Sequence, residues 1–598
     1  MKGRIPLLGS SVFLIVLAGL LICGYLLLVG APAANSTATD NLDWLHYGND
    51  LANTRFQDVD LINPANVANL KVAWVFHTGV LDPKAELETS PIEINGKLYI
   101  TDGHDDVFAL DASTGDLLWS YEPLEIAGEM PSLDQISICC GRNNRGVVFV
   151  PGTTPGTGSV IYARLDDVVV SLDANNGAVL WKNTVADFHT RVAMNMAPQF
   201  ANGLVIVGLS GGEYQVQGQV IALHADSGTV AWRFFTTEPG SWGGDSWKTG
   251  GAMAWQNASI DPELGLVYFG TGNAAPDING VKRIGNNLFS SSTVALDLAT
   301  GKVRWFFQET HHDLWDYDST MTTVLFPVQI GAQTVPALGH CSKNGNYYIL
   351  DRRNGKPVFP VTEVPVPTSP AWQHPSPTQP KSSVEPLTPL TFVPGTIDVS
   401  KLPPNVKLAP QYTLPQQQTF LIVPGDDGGC EGIAQGYSPR TKFVYYGTRY
   451  EPTTFQTEPN NKKPVGGLFL GSTFDELTPK EGVINFGLYG ATDTTTGKLV
   501  WKIKIPQPAK SGVLIAGDLV FFGEGNGKFH AVDAATGNML FTFDGTSVPH
   551  GGGAQAAPVA YVVNGKEFIV NGFGGNVPDS KNFPPNPVGD AVVGFTLP

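Results

Sequence analysis

The chain has 598 residues, with 54 acidic against 37 basic side chains, a formal net charge of −17 and only 15% charged residues in all. That balance argues against a nucleic-acid partner and leaves no basic stripe for anionic lipid, although it suits steering of a basic protein partner. With 68 glycines, 45 prolines and no heptad or helical repeat, the composition is that of a turn-rich β protein.

The N-terminus comes first. Lys2 and Arg4 precede an apolar stretch from Val12 to Val29, the layout of an export signal whose positive end stays in the cytoplasm. Ala31-Pro32-Ala33 offers a cleavage site, and the apolar core is nearly long enough to span a bilayer as an uncleaved anchor. Residues 1–36 are therefore expected to be an export signal or an N-terminal membrane anchor, and 40–598 the exported domain. Cys23 follows Ile22 where a lipoprotein site wants a small residue, so lipidation is not expected.

One pattern then recurs: an apolar strand, an Asp-containing turn with Gly, and a strand ending in an aromatic. It is FALDASTGDLLW at 108–119, VSLDANNGAVLW at 170–181, IALHADSGTVAW at 221–232, VALDLATGKVRW at 294–305, YILDRRNGKPVF at 348–359, GATDTTTGKLVW at 490–501 and HAVDAATGNMLF at 530–541. Asp and Gly serve the turn, and the terminal Trp or Phe is expected to stack between neighbouring sheets. Repetition of one supersecondary unit means a closed ring or a stack. The gap between Phe359 and Trp501 is about twice the usual interval, and FVYYGTRY at 443–450 reads as a strand within it. The expected fold is an all-β, eight-bladed β-propeller with aromatic-ended blade repeats. LKVAW at 70–74, an aromatic-ended strand without its own hairpin, is expected to complete the last blade and seal the ring. The proline-rich segment 360–420 is not expected to form regular sheet and reads as a lid, a flexible excursion or a linker.

Five cysteines punctuate the chain. Cys139 and Cys140 are adjacent; a disulfide between them closes a strained eight-membered ring, and two buried apolar thiols are the alternative. Cys341 and Cys430 are free to bridge after export, which sequence alone leaves open.

Several runs, in this order and spacing, resemble the quinoprotein alcohol dehydrogenases, periplasmic β-propeller enzymes that carry pyrroloquinoline quinone. They are DWLHYGNDLANTRFQDVDLINPANVANLKVAW at 43–74, CCGRNNRG at 139–146, GDSWKTGGAMAW at 244–255, YFGTGNAAPD at 268–277 and HHDLWDYD at 311–318. The resemblance implies that Trp255 is the floor under the cofactor and that a Cys139–Cys140 disulfide is its roof. It implies cofactor contacts from Glu88, Arg145, Asn195, Ser210 and Lys343, with Arg145 suited to a carboxylate and Lys343 to a quinone oxygen. Glu213 and Asn273 match the metal ligands, hard oxygen donors of the kind calcium takes. Asp316 matches the catalytic base and is a further metal contact. Asp318 is an extra acid found in lanthanide-using relatives, so calcium or a lanthanide ion is expected. The SPTQP run within 360–420 resembles the long loop at the family's cofactor mouth.

Three positions depart from the pattern: Asn195 where Thr is frequent, Glu431 where an Asn faces the cofactor, and Asn576 near a usual Trp. An extra carboxylate at Glu431 is expected to repel the reduced cofactor or bind the metal. The chain contains no CxxCH haem-attachment motif, so the expected electron acceptor is external, a cytochrome c or a membrane quinone. The preferred expectation is oxidation of a small alcohol to the aldehyde or ketone in the periplasm, by a soluble or N-terminally anchored enzyme. The alternatives are a membrane-associated sugar or polyol dehydrogenase, which shares the SPTQP-like loop, and a non-catalytic propeller scaffold of outer-membrane-assembly type.

Overall fold

Short strands cut by Asp/Gly turns, the inner ones buried on both faces and the outermost alternating between buried and exposed side chains, produce antiparallel sheets that follow one another down the chain. A computed structural model describes residues 41–139, 141–461, 467–472, 481–575 and 587–598. The expectations for residues 1–36, Cys140 and Asn576 lie outside these. Among the described residues no helix is long and apolar enough to cross a membrane.

The first complete sheet shows the plan: Ile92–Ile94, Lys97–Thr101, Val107–Asp111 and Leu117–Tyr121 pair in chain order. Four-stranded sheets of the same kind span 148–184, 199–235, 259–308, 324–357 and 436–505. A further sheet spanning 514–544 gains Phe56–Gln57 as a parallel fifth strand. The last sheet joins the two ends of the domain: Lys71–His77 pairs antiparallel with Ala591–Thr596, beside Lys566–Phe573 and Val559–Val563. The LKVAW strand thus takes the closing place expected of it. FVYYGTRY is the strand Phe443–Tyr450.

The seven aromatic-ended repeats form the outer hairpins of their sheets, and the structure shows what each terminal ring rests on. In every repeat but the last it rests on the turn glycine of the next sheet. A Cβ at Gly177 would stand 2.6 Å from the Trp119 ring, and one at Gly115 2.7 Å from Trp74. Both glycines also hold positive φ, 74° and 75°, so the turn and the ring together demand glycine. The indoles that end the repeats donate past the turn as well, among them Trp119 Nε1 to Ala174 O at 3.3 Å, Trp232 to Leu298 O at 2.9 Å and Trp501 to Ala534 O at 3.0 Å. At the last repeat Phe541 meets Phe595 of the closing sheet edge to face, at 6.4 Å.

A strap at residues 41–57 runs across several sheets, with Leu42 bridging to Val562 and Trp44 to Glu93. Within the strap Arg55 is fully buried. Its Nε donates to Val513 O at 2.6 Å, Nη1 to Tyr47 O at 2.6 Å and Ser90 Oγ at 3.2 Å, and Nη2 to Pro558 O at 2.7 Å. These are neutral acceptors, and burial lowers the Arg55 pKa to about 10.

The 360–420 expectation is corrected in part. Val361–Pro365 and Thr378–Ser382 form a two-stranded antiparallel ribbon, and Lys407–Leu408 pairs with Phe420–Ile422. A ribbon leaves each strand one free edge, where a residue lacking N–H breaks no ladder bond, so proline does not exclude it. Nor is the segment loose: Gln373 is fully buried, accepts from Gly280 N at 2.7 Å and donates to Pro415 O at 2.8 Å. His312 Nε2 lies 2.8 Å from Gln373 O, which ties the segment to the HHDLWDYD run.

Candidate active site

Local alternation builds the centre of the site. In the 315–318 run, Trp315 and Tyr317 go into an apolar cluster with Ile278, Tyr412, Leu414 and Phe455, while Asp316 and Asp318 face a cavity. Asp313 fixes the turn, accepting from Trp315 N at 3.0 Å and Tyr317 N at 2.9 Å. Trp315 Nε1 reaches Thr413 O at 2.8 Å and Tyr317 OH reaches Pro424 O at 2.7 Å, so the run is held at both rings.

The cavity brings together every described residue singled out from the sequence. Glu88, Cys139, Arg145, Asn195, Ser210, Glu213, Trp255, Asn273, Asp316, Asp318 and Lys343 all line it. Cys139 is disulfide-bonded; its expected partner Cys140 is not among the described residues. Arg145 Nη2 pairs with Glu88 Oε2 at 2.7 Å, and its guanidinium lies 5.3 Å from the Trp255 ring centroid. Trp255 Nε1 donates to Asp318 Oδ2 at 3.2 Å, and Asn273 N to Asp318 Oδ1 at 3.0 Å. Ser210 Oγ donates to Ala193 O at 3.0 Å.

Lys343 is the cation at the centre. Its Nζ lies 3.2 Å from Asp316, 3.7 Å from Asp318 and 3.2 Å from Glu431. Burial opposes its charge, but these three carboxylates outweigh it and hold its pKa well above the usual lysine value. Glu431 therefore does not stand as a lone carboxylate. It also meets Arg449 Nη1 at 2.8 Å, and the two cations overcome its burial to bring its pKa down. A disulfide between Cys341 and Cys430, with Cα atoms 5.7 Å apart, ties the segment carrying Lys343 to the loop carrying Glu431.

Burial raises the pKa of Asp316, Asp318 and Glu213, with Lys343 pulling each one down and neighbouring carboxylates pushing up. Asp277 joins them electrostatically: it is fully buried, neither carboxylate oxygen has a hydrogen-bond partner, and burial followed by Glu213 and Asp318 lifts its pKa far above normal. The buried Asn273 amide leaves its Nδ2 unpartnered, and turning that amide end for end offers an oxygen to the same space. This excess of buried, hard, anionic donors fits a cation of high charge density.

Sequence reasoning missed Glu86, Asn143, Met253, Asp426, Asp427, Arg449, Leu470 and Lys510, which also line the cavity. Glu86 stands two residues before Glu88, and Asp426-Asp427 in GDDGGCEG form an acidic pair beside Cys430; both were visible signals. Lys510 lies in a run with no motif character.

The sheets, the docked rings and this cavity define the class, a β-propeller oxidoreductase, and comparison with known proteins agrees. Residues 44–468 match the family model described as glucose/ethanol/alcohol dehydrogenase, beta-propeller domain, and residues 483–578 match a model described as outer membrane protein assembly factor BamB. The chain is 31% identical over 551 residues to the quinoprotein alcohol dehydrogenase PedH of Pseudomonas putida, covering 88% of this chain and 85% of that one. It is 30% identical to the quinohemoprotein alcohol dehydrogenase of Comamonas testosteroni, covering 91% and 74%. Among solved structures, a europium-containing methanol dehydrogenase aligns with a TM-score of 0.73 at 25% identity, covering 93% of this chain and 98% of that one. The chain belongs to the PQQ-dependent quinoprotein alcohol dehydrogenase family.

Proposed function

We propose that the protein is an exported, eight-bladed quinoprotein dehydrogenase that oxidises an alcohol to the aldehyde or ketone and passes electrons to an external cytochrome or quinone. Pyrroloquinoline quinone would lie over Trp255 under a Cys139–Cys140 roof, with Arg145, Glu88, Asn195 and Ser210 at its polar edge. Glu213, Asn273, Asp316 and Asp318 would hold calcium or a lanthanide ion. When bound, the quinone supplies the two-electron acceptor and the metal ion the Lewis acid.

The chain's own residues then have distinct tasks. Asp316 is the base for the substrate hydroxyl proton, and Lys343 Nζ, 3.2 Å from it, holds that carboxylate in place and favours its ionised form. Asp318 is steadied by the Trp255 indole and the Asn273 amide, so the floor and the metal ligands are one hydrogen-bonded unit. Glu88 offers Arg145 a counter-charge, which keeps the guanidinium aimed at the cavity. The observation that carries the reading is the meeting of Trp255, Asp316, Asp318 and Lys343 in one cavity, an arrangement for which a scaffold has no use.

The test is reconstitution. Purified protein given cofactor with calcium or a light lanthanide should turn over alcohols with a dye acceptor, and Asp316→Asn should keep cofactor while losing turnover about a hundredfold or more. Parent-level turnover by Asp316→Asn with cofactor and metal bound would refute the assigned base. A second reading, a polyol substrate, is favoured by Asp426, Asp427 and Arg449, charged groups in the lining able to hydrogen-bond additional hydroxyls. A higher kcat/KM for glycerol than for ethanol would select it.

A further inference from the structure

The seam where the two ends of the domain pair finishes in a cluster that the redox cavity does not use. His77 ends the strand Lys71–His77 and stands opposite Ala591, so the neighbouring Asp590 lies beside it. The loop carrying His550 is tied to the same point, because Asp590 N donates to His550 O at 3.0 Å. His77 Nδ1 lies 2.8 Å from Asp590 Oδ1, and His550 Nδ1 lies 3.8 Å from that oxygen. The two imidazoles meet edge to face at 5.5 Å, and one donor atom from each of the three residues lies within 4.8 Å of the others.

The carboxylate is preset. Asp590 is 2% exposed at its side chain, and Gly79 N donates to its Oδ2 at 3.1 Å, leaving Oδ1 toward the imidazoles. Those rings are reachable from solvent, at 37% and 61% side-chain exposure. Two imidazole nitrogens and one carboxylate oxygen suit a borderline divalent ion such as zinc. Calcium and the lanthanides favour all-oxygen sets. Zinc–ligand distances of about 2.0–2.2 Å bring such donors within roughly 3.5 Å of one another, a spacing that small side-chain rotations reach here.

We propose that His77, His550 and Asp590 form a second metal site, which takes one zinc-class divalent ion with its remaining position open to solvent. The ion ties the strand that opens the domain to the segment that closes it. Binding to the closed seam alone raises the stability of the folded ring, because a ligand that prefers the folded state adds to its stability.

The site stands apart from the proposed redox chemistry and is tested apart from it. Zinc is titrated calorimetrically into the full protein in excess calcium, which occupies oxygen-donor sites, and cobalt replaces zinc for an absorption readout. One ion per chain is expected, with the affinity reduced about tenfold or more in His550→Ala and in Asp590→Asn. Zinc should raise the melting temperature of the parent and not of His550→Ala, each compared with its own metal-free form. No saturable zinc binding would overturn the proposal. So would binding of undiminished affinity in His550→Ala, which would put the ion elsewhere.

Discussion

Lys343 shows how much one residue decides here, since a single buried ammonium meets the candidate base, a candidate metal ligand and the unexpected Glu431. Buried carboxylates without such a partner behave differently, and Asp167 is the clearest case away from the cavity. It is fully buried at the turn before Val168, and neither oxygen has a hydrogen-bond partner. Burial, then Asp166 and Asp187, raise its pKa from 3.8 to about 8. The folded chain therefore keeps a proton that the unfolded chain releases. The stability this group confers is complete below pH 3.8 and is lost as pH rises to about 8. Asp167→Asn keeps the shape, suits the positive φ of 65° and removes the ionisation. The variant should be more stable than the parent at pH 8.5 by roughly 1–3 kcal/mol and gain little at pH 4. Thermal unfolding at both pH values checks this, and an equal difference at the two would rule out the titration.

The outer hairpin is the repeating element, and its strength lies in the ring that crosses to the next sheet. Trp232 is 8% exposed, donates to Leu298 O and packs on Gly301. Trp232→Ala should destabilise by about 3–5 kcal/mol, measured by denaturant unfolding. A loss below 1 kcal/mol would mean that the ring is not a structural dock. These hairpins were legible because each is local: Asp, Gly and the aromatic stand within twelve positions of one another. The 378–382 strand was not legible, because Pro380 within it, with Pro375 and Pro377 just before it, masks pairing that only a partner strand reveals. The site divides in the same way. Trp255, Asp316 and Asp318 stand in motif runs, and the structure brings them to one cavity. Arg449 and Lys510 reach that cavity through strand register and distant loops, which no local pattern encodes. Asp277 was in plain view at the end of YFGTGNAAPD, but only its burial without a partner singles it out.

At the scale of the whole molecule, the two ends meet in one sheet, and the inner strap converts that meeting into a lock. Arg55 binds Val513 and Pro558, 458 and 503 positions away, and Ile62 N donates to Glu567 across 505. Contacts so distant in sequence bear the full entropy of loop closure before they return anything, so they form late. A chain emerging from a ribosome or a translocation channel thus carries its strap unsatisfied until nearly all of it has arrived. Until then, Arg55 is hydrated and lacks the Val513 and Pro558 carbonyls that receive it in the fold. During refolding, trypsin should cut after Arg55 and Lys71 well after the 259–308 sheet has become resistant; simultaneous protection would show that closure does not come last. The interval before closure is the window in which a chaperone has an exposed, extended segment to hold, and in which a newly made molecule is most open to proteolysis.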